Sequence, residues 1–109
     1  MRKDAIYARQ SVDKKDSVSI ETQIEKCEVV AGKDSFIFKD KGYSGKNTDR
    51  PDLAKLISDI KEDKVNRVIV YRLDRISRNI IDFYKLLDIM DKHHTSFVSV
   101  TENFQTDDK

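Results

Sequence analysis

The apolar residues of this chain fall in short blocks whose spacing alternates between strand-like and helix-like. Residues 4–9 form a mostly apolar run that predicts a short buried strand. In the next block the apolar positions recur at i, i+4, i+7 and i+10 or i+11: Ile20, Ile24, Cys27, and Val30 or Ala31. That spacing predicts an amphipathic helix. Ser19 is suited to cap its beginning and Gly32 to end it.

The same alternation continues along the rest of the chain. Further strands are predicted at residues 36–38, 65–71 and 97–100, and the Val-Ile-Val centre of the second of these is typical of a strand buried on both faces. One helix is predicted to begin at Pro51, where proline suits a first turn, and another to span residues 80–92. Their apolar positions are Leu53, Leu56, Ile57 and Ile60 in the first helix and Phe83, Tyr84, Leu87 and Met90 in the second. The last nine residues carry no further pattern.

The predicted order is therefore β-α-β-α-β-α-β. This order predicts an α/β fold, a mostly parallel sheet of four or more strands with helices on both faces. The 109 residues suit one domain and are too few for two. Because the sequence ends soon after a predicted strand, we expect residues 1–109 to be a fragment of a longer protein.

Bulk charge adds little to this picture. The chain has 21 basic and 20 acidic side chains and a net charge of +1, so it lacks the basic excess typical of nucleic-acid-binding proteins. Any contact with DNA would have to come from a local cluster of arginine and lysine. With Cys27 as its single cysteine, no leader-like segment and no membrane-length apolar run, the chain is expected to be cytoplasmic and to have no membrane partner.

Polar side chains that could take part in catalysis or binding follow each of the first three predicted strands. In chain order they are Arg9 and Ser11 after the first, Asp40, Ser44 and Arg50 after the second, and Arg72, Asp74, Arg75 and Arg78 after the third. The carboxyl ends of parallel strands meet at one edge of a sheet, where functional groups gather. The sequence therefore predicts a site that combines one serine with several arginines.

A serine among arginines suits phosphoryl transfer. A serine hydroxyl is a weak nucleophile that needs activation, and arginine presents forked donors that match phosphate oxygens. Catalysis of this kind is mainly positioning and electrostatic stabilisation. The chain carries neither a phosphate-binding P-loop nor a dinucleotide fingerprint, and His93 and His94 have no metal-ligand spacing with Cys27. No metal and no small-molecule cofactor are predicted.

Five motifs in order make the pattern more specific. They are YARQS at residues 7–11, SIETQ at 19–23, DKGYSG at 40–45, TDRP at 48–51 and LDRISR at 73–78. The set resembles the signatures of the resolvase/invertase, or serine recombinase, family of DNA strand-exchange enzymes. The loop at 40–45 and the junction at 50–51 are more similar to the large serine integrase and transposase branch than to the small resolvases.

The resemblance implies a function and a role for each matched residue. Ser11 would attack a DNA phosphodiester and form a 5′-phosphoserine link, and strand exchange and religation would follow without metal or cofactor. The residues implied on the scissile phosphate are Arg9, Arg75, Arg78 and Arg50, with Tyr7, Gln23, Asp40, Ser44 and Asp74 in support. Either Asp74 or Arg75 would take part in protonating the leaving oxygen.

The resemblance also implies partners. Double-stranded DNA would be the substrate, and the full-length protein would act as a dimer or tetramer of itself. Relatives continue into an oligomerisation helix and DNA-binding domains that this fragment lacks, which leaves the activity of the isolated domain open.

Plainer interpretations stand beside these. Tyr7 could be a core residue, Gln23 an ordinary polar-face residue, and Asp40 and Ser44 turn formers. Arg72 is more simply a surface charge. The whole domain could instead be an inactive recombinase-like module for assembly or DNA docking. A receiver-like signalling domain would need acidic residues where Arg9 and Ser11 stand.

Overall fold

A computed structural model describes residues 2–10, 18–32, 34–41, 50–76, 80–102 and 104–105. The elements within these residues are β1 (Lys3–Gln10), α1 (Ile20–Ala31), β2 (Phe36–Lys41), α2 (Pro51–Lys61), β3 (Val65–Val70), α3 (Leu73–Ile76), α4 (Ile80–Lys92), β4 (Ser96–Ser99) and β5 (Phe104–Gln105). The seven elements predicted from the sequence are all present, and α4 spans the predicted residues.

The strands form one sheet in the order β2-β1-β3-β4-β5. The pairs β1–β2, β1–β3 and β3–β4 are parallel, and β5 pairs antiparallel to β4. The prediction of a mostly parallel sheet is confirmed. Strand β1 lies between β2 and β3, so the chain passes to one side of β1 and then to the other. The carboxyl end of β1 is therefore a topological switch point, where open parallel sheets bind their ligands.

Each face of the sheet carries its own core, as the alternation of side chains along β1 requires. Ile6 and Ile69 pack with Cys27 of α1 on one face. On the other face α2 and α4 contribute a larger cluster: Ala5, Tyr7, Phe38, Leu56, Ile60, Val65, Val68, Val70, Ile76, Leu86, Met90 and Phe97. The predicted helices on both faces are confirmed.

Local chemistry fixes the helix ends as predicted. The Ser19 side chain accepts a hydrogen bond from the Thr22 backbone N–H at 3.1 Å, and Pro51 occupies the first turn of α2. Gly32 ends α1 with φ 85°, a left-handed value that suits glycine.

The amino edge of the sheet is held by a residue that no sequence pattern singled out. The Arg2 guanidinium donates to the carbonyl oxygens of Val65, His93 and His94 at 2.7–2.8 Å. The Val65 carbonyl lies where β3 begins, and those of His93 and His94 lie in the turn between α4 and β4, so one side chain joins the residue before β1 to a strand and to a turn.

The structure corrects several sequence predictions. Strand β2 runs to Lys41, three residues past the predicted end, because Lys39 to Lys41 keep pairing with β1 although they are polar. Strand β3 ends at Val70, so Arg72 lies in the turn before α3, a short helix that was not predicted. Residues 104–105, in the tail that carries no pattern, form β5.

One predicted apolar position is also wrong. Tyr84 is 62% exposed, and Leu86 lies in the α4 core in its place. Of the alternatives at the end of α1, Ala31 packs on the core and Val30 is exposed.

Candidate active site

Two arginines meet at the carboxyl edge of the sheet. Arg9 lies near the end of β1 and Arg75 in α3, and their side chains are only 5% and 3% exposed. The Arg9 Nε donates to the backbone oxygen of Arg75 at 3.3 Å. The Arg9 guanidinium is therefore held in a fixed position against the backbone of α3, the helix that carries the buried Arg75.

Asp40 joins the end of β2 to the beginning of α2. Its buried carboxylate accepts hydrogen bonds from the Asp52 N–H at 3.0 Å and the Leu53 N–H at 3.1 Å, which are unpaired donors in the first turn of a helix. The Tyr7 hydroxyl donates to the same carboxylate at 2.7 Å. Asp40 is paired with Arg9 in the β1–β2 register, so this network lies beside the arginines.

Arg50 stands directly before α2, in extended backbone, where its position depends on that helix start. Burial is the main cause that raises the pKa of Tyr7 above its ordinary value, and the Asp40 hydrogen bond adds to it. The positive charges of Arg50 and Arg9 act in the opposite direction and lower that pKa. Both arginines are therefore near enough to the Tyr7 hydroxyl to influence its ionisation, and Tyr7 remains a neutral donor.

Gln23 holds the end of β1 from the opposite face. Its amide Nε2 donates to the Arg9 carbonyl at 2.9 Å, and its Oε1 accepts from the Arg9 N–H at 3.2 Å. Nε2 also donates to the Val18 carbonyl at 3.1 Å. Gln23 thus fastens residues on both sides of the segment 11–17, which contains Ser11, and the surface interpretation of Gln23 is wrong because its side chain is fully buried.

The structure therefore brings together part of the predicted set. Tyr7, Arg9, Asp40, Arg50 and Arg75 share one region at the carboxyl edge, and Gln23 supports it. The predicted residues Ser11, Ser44 and Arg78 lie outside the described residues, as does the side chain of Asp74, whose backbone belongs to α3.

One neighbour of this region was missed from the sequence. Glu102 accepts a hydrogen bond from the N–H of Leu73, the first residue of α3, at 2.9 Å. No sequence signal marks it, since the contact joins residues 29 positions apart and Glu102 lies in the tail that carries no pattern.

This arrangement of arginines is suited to binding an anion. Buried arginines present fixed N–H donors that match the oxygens of a phosphate. In the part of the chain that the structure describes, no group of three His, Cys, Asp or Glu side chains could hold a metal ion, and no helix is long and apolar enough to cross a membrane. Fold and site together define an α/β protein with an arginine-rich region, suited to an anion, at the switch point of its sheet.

The family follows from sequence comparison. Residues 5–109 match the family model described as "Resolvase, N terminal domain". The chain belongs to this family, the serine recombinases, whose members are DNA strand-transferases.

Known proteins agree with that assignment. The chain is 33% identical over 103 residues to a protein of Bacillus subtilis (strain 168) that carries a DNA-recombinase name, covering 92% of this chain and 21% of that protein. It is 31% identical over 70 residues to the transposon Tn917 resolvase of Enterococcus faecalis, covering 64% of this chain and 36% of the resolvase. The chain thus spans between a fifth and about a third of the length of these relatives.

A solved structure supports the fold. The N-terminal catalytic domain of TP901-1 integrase superposes with a TM-score of 0.85 at 33% identity, covering 98% of this chain and 84% of that domain. The fold described above is therefore that of a serine-recombinase catalytic domain.

Proposed function

We propose that this chain is the catalytic domain of a site-specific DNA recombinase in which Ser11 is the nucleophile. The observation that carries the proposal is that the buried side chain of Arg9, near the carboxyl end of β1, donates to the backbone of Arg75, which is also buried. Ser11 follows Gln10, the last residue of β1, in the sequence. A nucleophile next to fixed cationic donors is the arrangement that phosphodiester cleavage needs.

The proposed reaction conserves bonds. The Ser11 hydroxyl gives up its proton to a base as its oxygen forms a bond to phosphorus. The bond from phosphorus to the 3′-oxygen breaks, and that oxygen takes up a proton and leaves as a hydroxyl. Religation reverses these events, with a 3′-hydroxyl attacking the phosphoserine. Because one phosphoester is exchanged for another, no nucleotide energy source is required, and the proposed chemistry uses no metal or other cofactor.

The proposed roles follow the motif matches. Arg9, Arg50, Arg75 and Arg78 neutralise the charge on the phosphate oxygens, and Asp74 or Arg75 takes part in protonating the leaving oxygen. For Tyr7 and Asp40 the hydrogen-bond network supports a positioning role, since it fixes the helix start that Arg50 precedes. Ser44 is proposed as a further supporting residue from its motif.

The proposal extends to setting and partners. The substrate is double-stranded DNA, the complete protein acts as a dimer or tetramer of itself in the bacterial cytoplasm, and the chain is the catalytic part of a longer protein with separate DNA-binding domains. We also place the chain in the large serine integrase and transposase branch. Two likenesses support this: one to an integrase catalytic domain, and one to a Bacillus subtilis protein that is about five times as long as the matched segment.

The test is a trapped covalent intermediate. The complete protein is incubated with duplex DNA from the ends of its own genetic element, nicked near the crossover so that cleavage cannot reverse, and resolved on a denaturing gel. We expect a protein–DNA band with wild type and with Ser58→Ala, a variant of an exposed serine on α2, and no band with Ser11→Ala.

Phosphoamino-acid analysis of the band should yield phosphoserine. If wild type binds this DNA and leaves no covalent band, the proposal is wrong, and the domain is then better described as an inactive module for assembly or docking.

A further inference from the structure

The turn between β4 and β5 lies against the residues that lead from β3 into α3, the helix that carries Arg75. Val100 N–H donates to the Val70 carbonyl at 2.9 Å. Thr101 donates twice to the Tyr71 carbonyl, from its N–H at 3.2 Å and from its hydroxyl at 2.9 Å. Residues 100–102, which we name the β4–β5 turn, therefore follow the path of the chain as it leaves β3.

Glu102 completes this set of contacts at the start of α3. Its Oε1 accepts both the Leu73 N–H at 2.9 Å and the Ser99 hydroxyl at 2.7 Å. Ser99 is 1% exposed and is paired with Val70 in the β3–β4 register, so it is a fixed point of the sheet. One carboxylate oxygen thus joins the first N–H of α3 to the sheet.

The position of Arg75 depends on that junction. Helix α3 has four residues, so it has little hydrogen bonding of its own to hold it in place. Arg75 is two residues beyond Leu73, and its carbonyl accepts from Arg9 Nε at 3.3 Å. A displacement at Leu73 would move both Arg75 and its contact with Arg9.

We infer that Glu102 is a positioning residue for phosphodiester cleavage, acting through Leu73 on the orientation of Arg75. This inference rests on the proposed function and adds a residue to it. Glu102 does not need to touch DNA, and what it supplies is an acceptor oxygen in a fixed place. A glutamine at 102 can supply the same oxygen, and an alanine cannot.

The activity test compares Glu102→Ala, Glu102→Gln and Glu62→Ala in the complete protein. Glu62 is an exposed glutamate at the far end of α2 whose carboxylate contacts Lys64, and it serves as the matched control. Single-turnover formation of the covalent DNA link is measured with saturating nicked DNA, and DNA affinity is measured separately.

We expect Glu102→Ala to slow cleavage by about 10- to 100-fold with DNA affinity within about twofold, since a small misplacement of a catalytic group has effects of this size. Glu102→Gln should restore most of the rate, and Glu62→Ala should match wild type. Equal losses in the alanine and glutamine variants, or a loss confined to DNA affinity, would overturn the inference.

A second measurement does not depend on activity. Amide hydrogen exchange at Leu73 to Ile76 should be faster in Glu102→Ala than in wild type and should return to the wild-type rate in Glu102→Gln. Unchanged exchange in Glu102→Ala would refute the role of Glu102 even if the protein cleaves DNA. If wild type forms no covalent link, the proposed function fails, and exchange at Leu73 then decides alone whether Glu102 holds α3.

Discussion

At the scale of the residue, the side chain of Gln23 makes the hydrogen bonds that a neighbouring strand would otherwise make with Arg9. Its side-chain amide pairs with both the N–H and the carbonyl of Arg9, as a neighbouring strand would, and reaches the Val18 carbonyl as well. These groups are close to Gln10, the last residue of β1. A helix on one face of the sheet thereby fixes the backbone of an arginine whose side chain serves the other face.

We predict that Gln23→Ala lowers the free energy of unfolding by about 2–4 kcal/mol, because it leaves buried backbone groups of Arg9 without their partners. Urea denaturation at pH 7 measures this loss. Glu25→Ala, an exposed substitution on the same helix, should stay within about 0.5 kcal/mol of wild type. Equal stabilities of the two variants would contradict the backbone-like role of Gln23.

At the scale of the element, the beginning of α2 is controlled from outside the helix. Arg50 occupies the N-cap position without making a side-chain cap, and the Asp40 carboxylate at the end of β2 accepts from the first-turn N–H groups instead. The strand therefore determines where the helix begins, and with it the place of Arg50.

We predict that Asp40→Ala destabilises the protein by about 2–3 kcal/mol, the combined effect of a lost helix cap and a lost buried hydrogen bond from Tyr7. It should also slow cleavage by the complete protein, because Arg50 loses its fixed position. Asp52→Ala is the control, since its carboxylate accepts one hydrogen bond, from the exposed Lys39 N–H, and should cost at most about 1 kcal/mol. Denaturation curves that rank the two variants in the reverse order would refute this account.

The elements that the sequence predicted well are those whose own side chains determine them. Helix α4 and the start of α1 at Ser19 follow from apolar spacing and capping, both of which are local. Helix α3 was missed because its first N–H relies on Glu102, 29 residues further along the chain. Strand β5 was missed for a different reason: its two residues are too few to show an alternating pattern, and they form a strand by pairing with β4.

The site shows the same division between local and distant information. Motif order predicted Arg9 and Arg75 at one edge, where the structure places them. The contacts that hold them, made by Gln23 and Glu102, depend on which atoms face each other across the folded chain. Ser11, Ser44 and Arg78 remain predictions.

At the scale of the whole molecule, each face of the sheet buries a group whose pKa burial raises. Tyr7 lies in the core under α2 and α4, and Cys27 lies under α1. Burial raises the pKa of the Cys27 thiol from 9.0 to about 12 and is the main cause that raises the pKa of Tyr7. Folding therefore favours the protonated form of both groups.

The consequence is a loss of stability in alkali. A group whose pKa is higher in the folded protein contributes its full stabilisation below its unfolded pKa and loses it as the pH rises toward the folded value, which for Cys27 is the window from about 9 to about 12. From pH 8 to pH 10 the free energy of unfolding should fall in wild type by about 1.4 kcal/mol more than it falls in Cys27→Ala, which has no thiol to ionise. Urea denaturation at both pH values under reducing conditions measures the difference, and parallel losses in the two proteins would contradict it.

The anchoring of Arg2 at the amino edge has a practical consequence for attaching labels. Strand β1 has eight residues, so its two ends lie about 23 Å apart at about 3.3 Å per residue. A purification tag or fluorophore joined before Arg2 would leave the molecule beside Val65 and His94, at the opposite end of the sheet from Arg9. Labels joined there should therefore leave the arginine edge of the sheet uncovered, provided that the linker does not disturb the Arg2 hydrogen bonds.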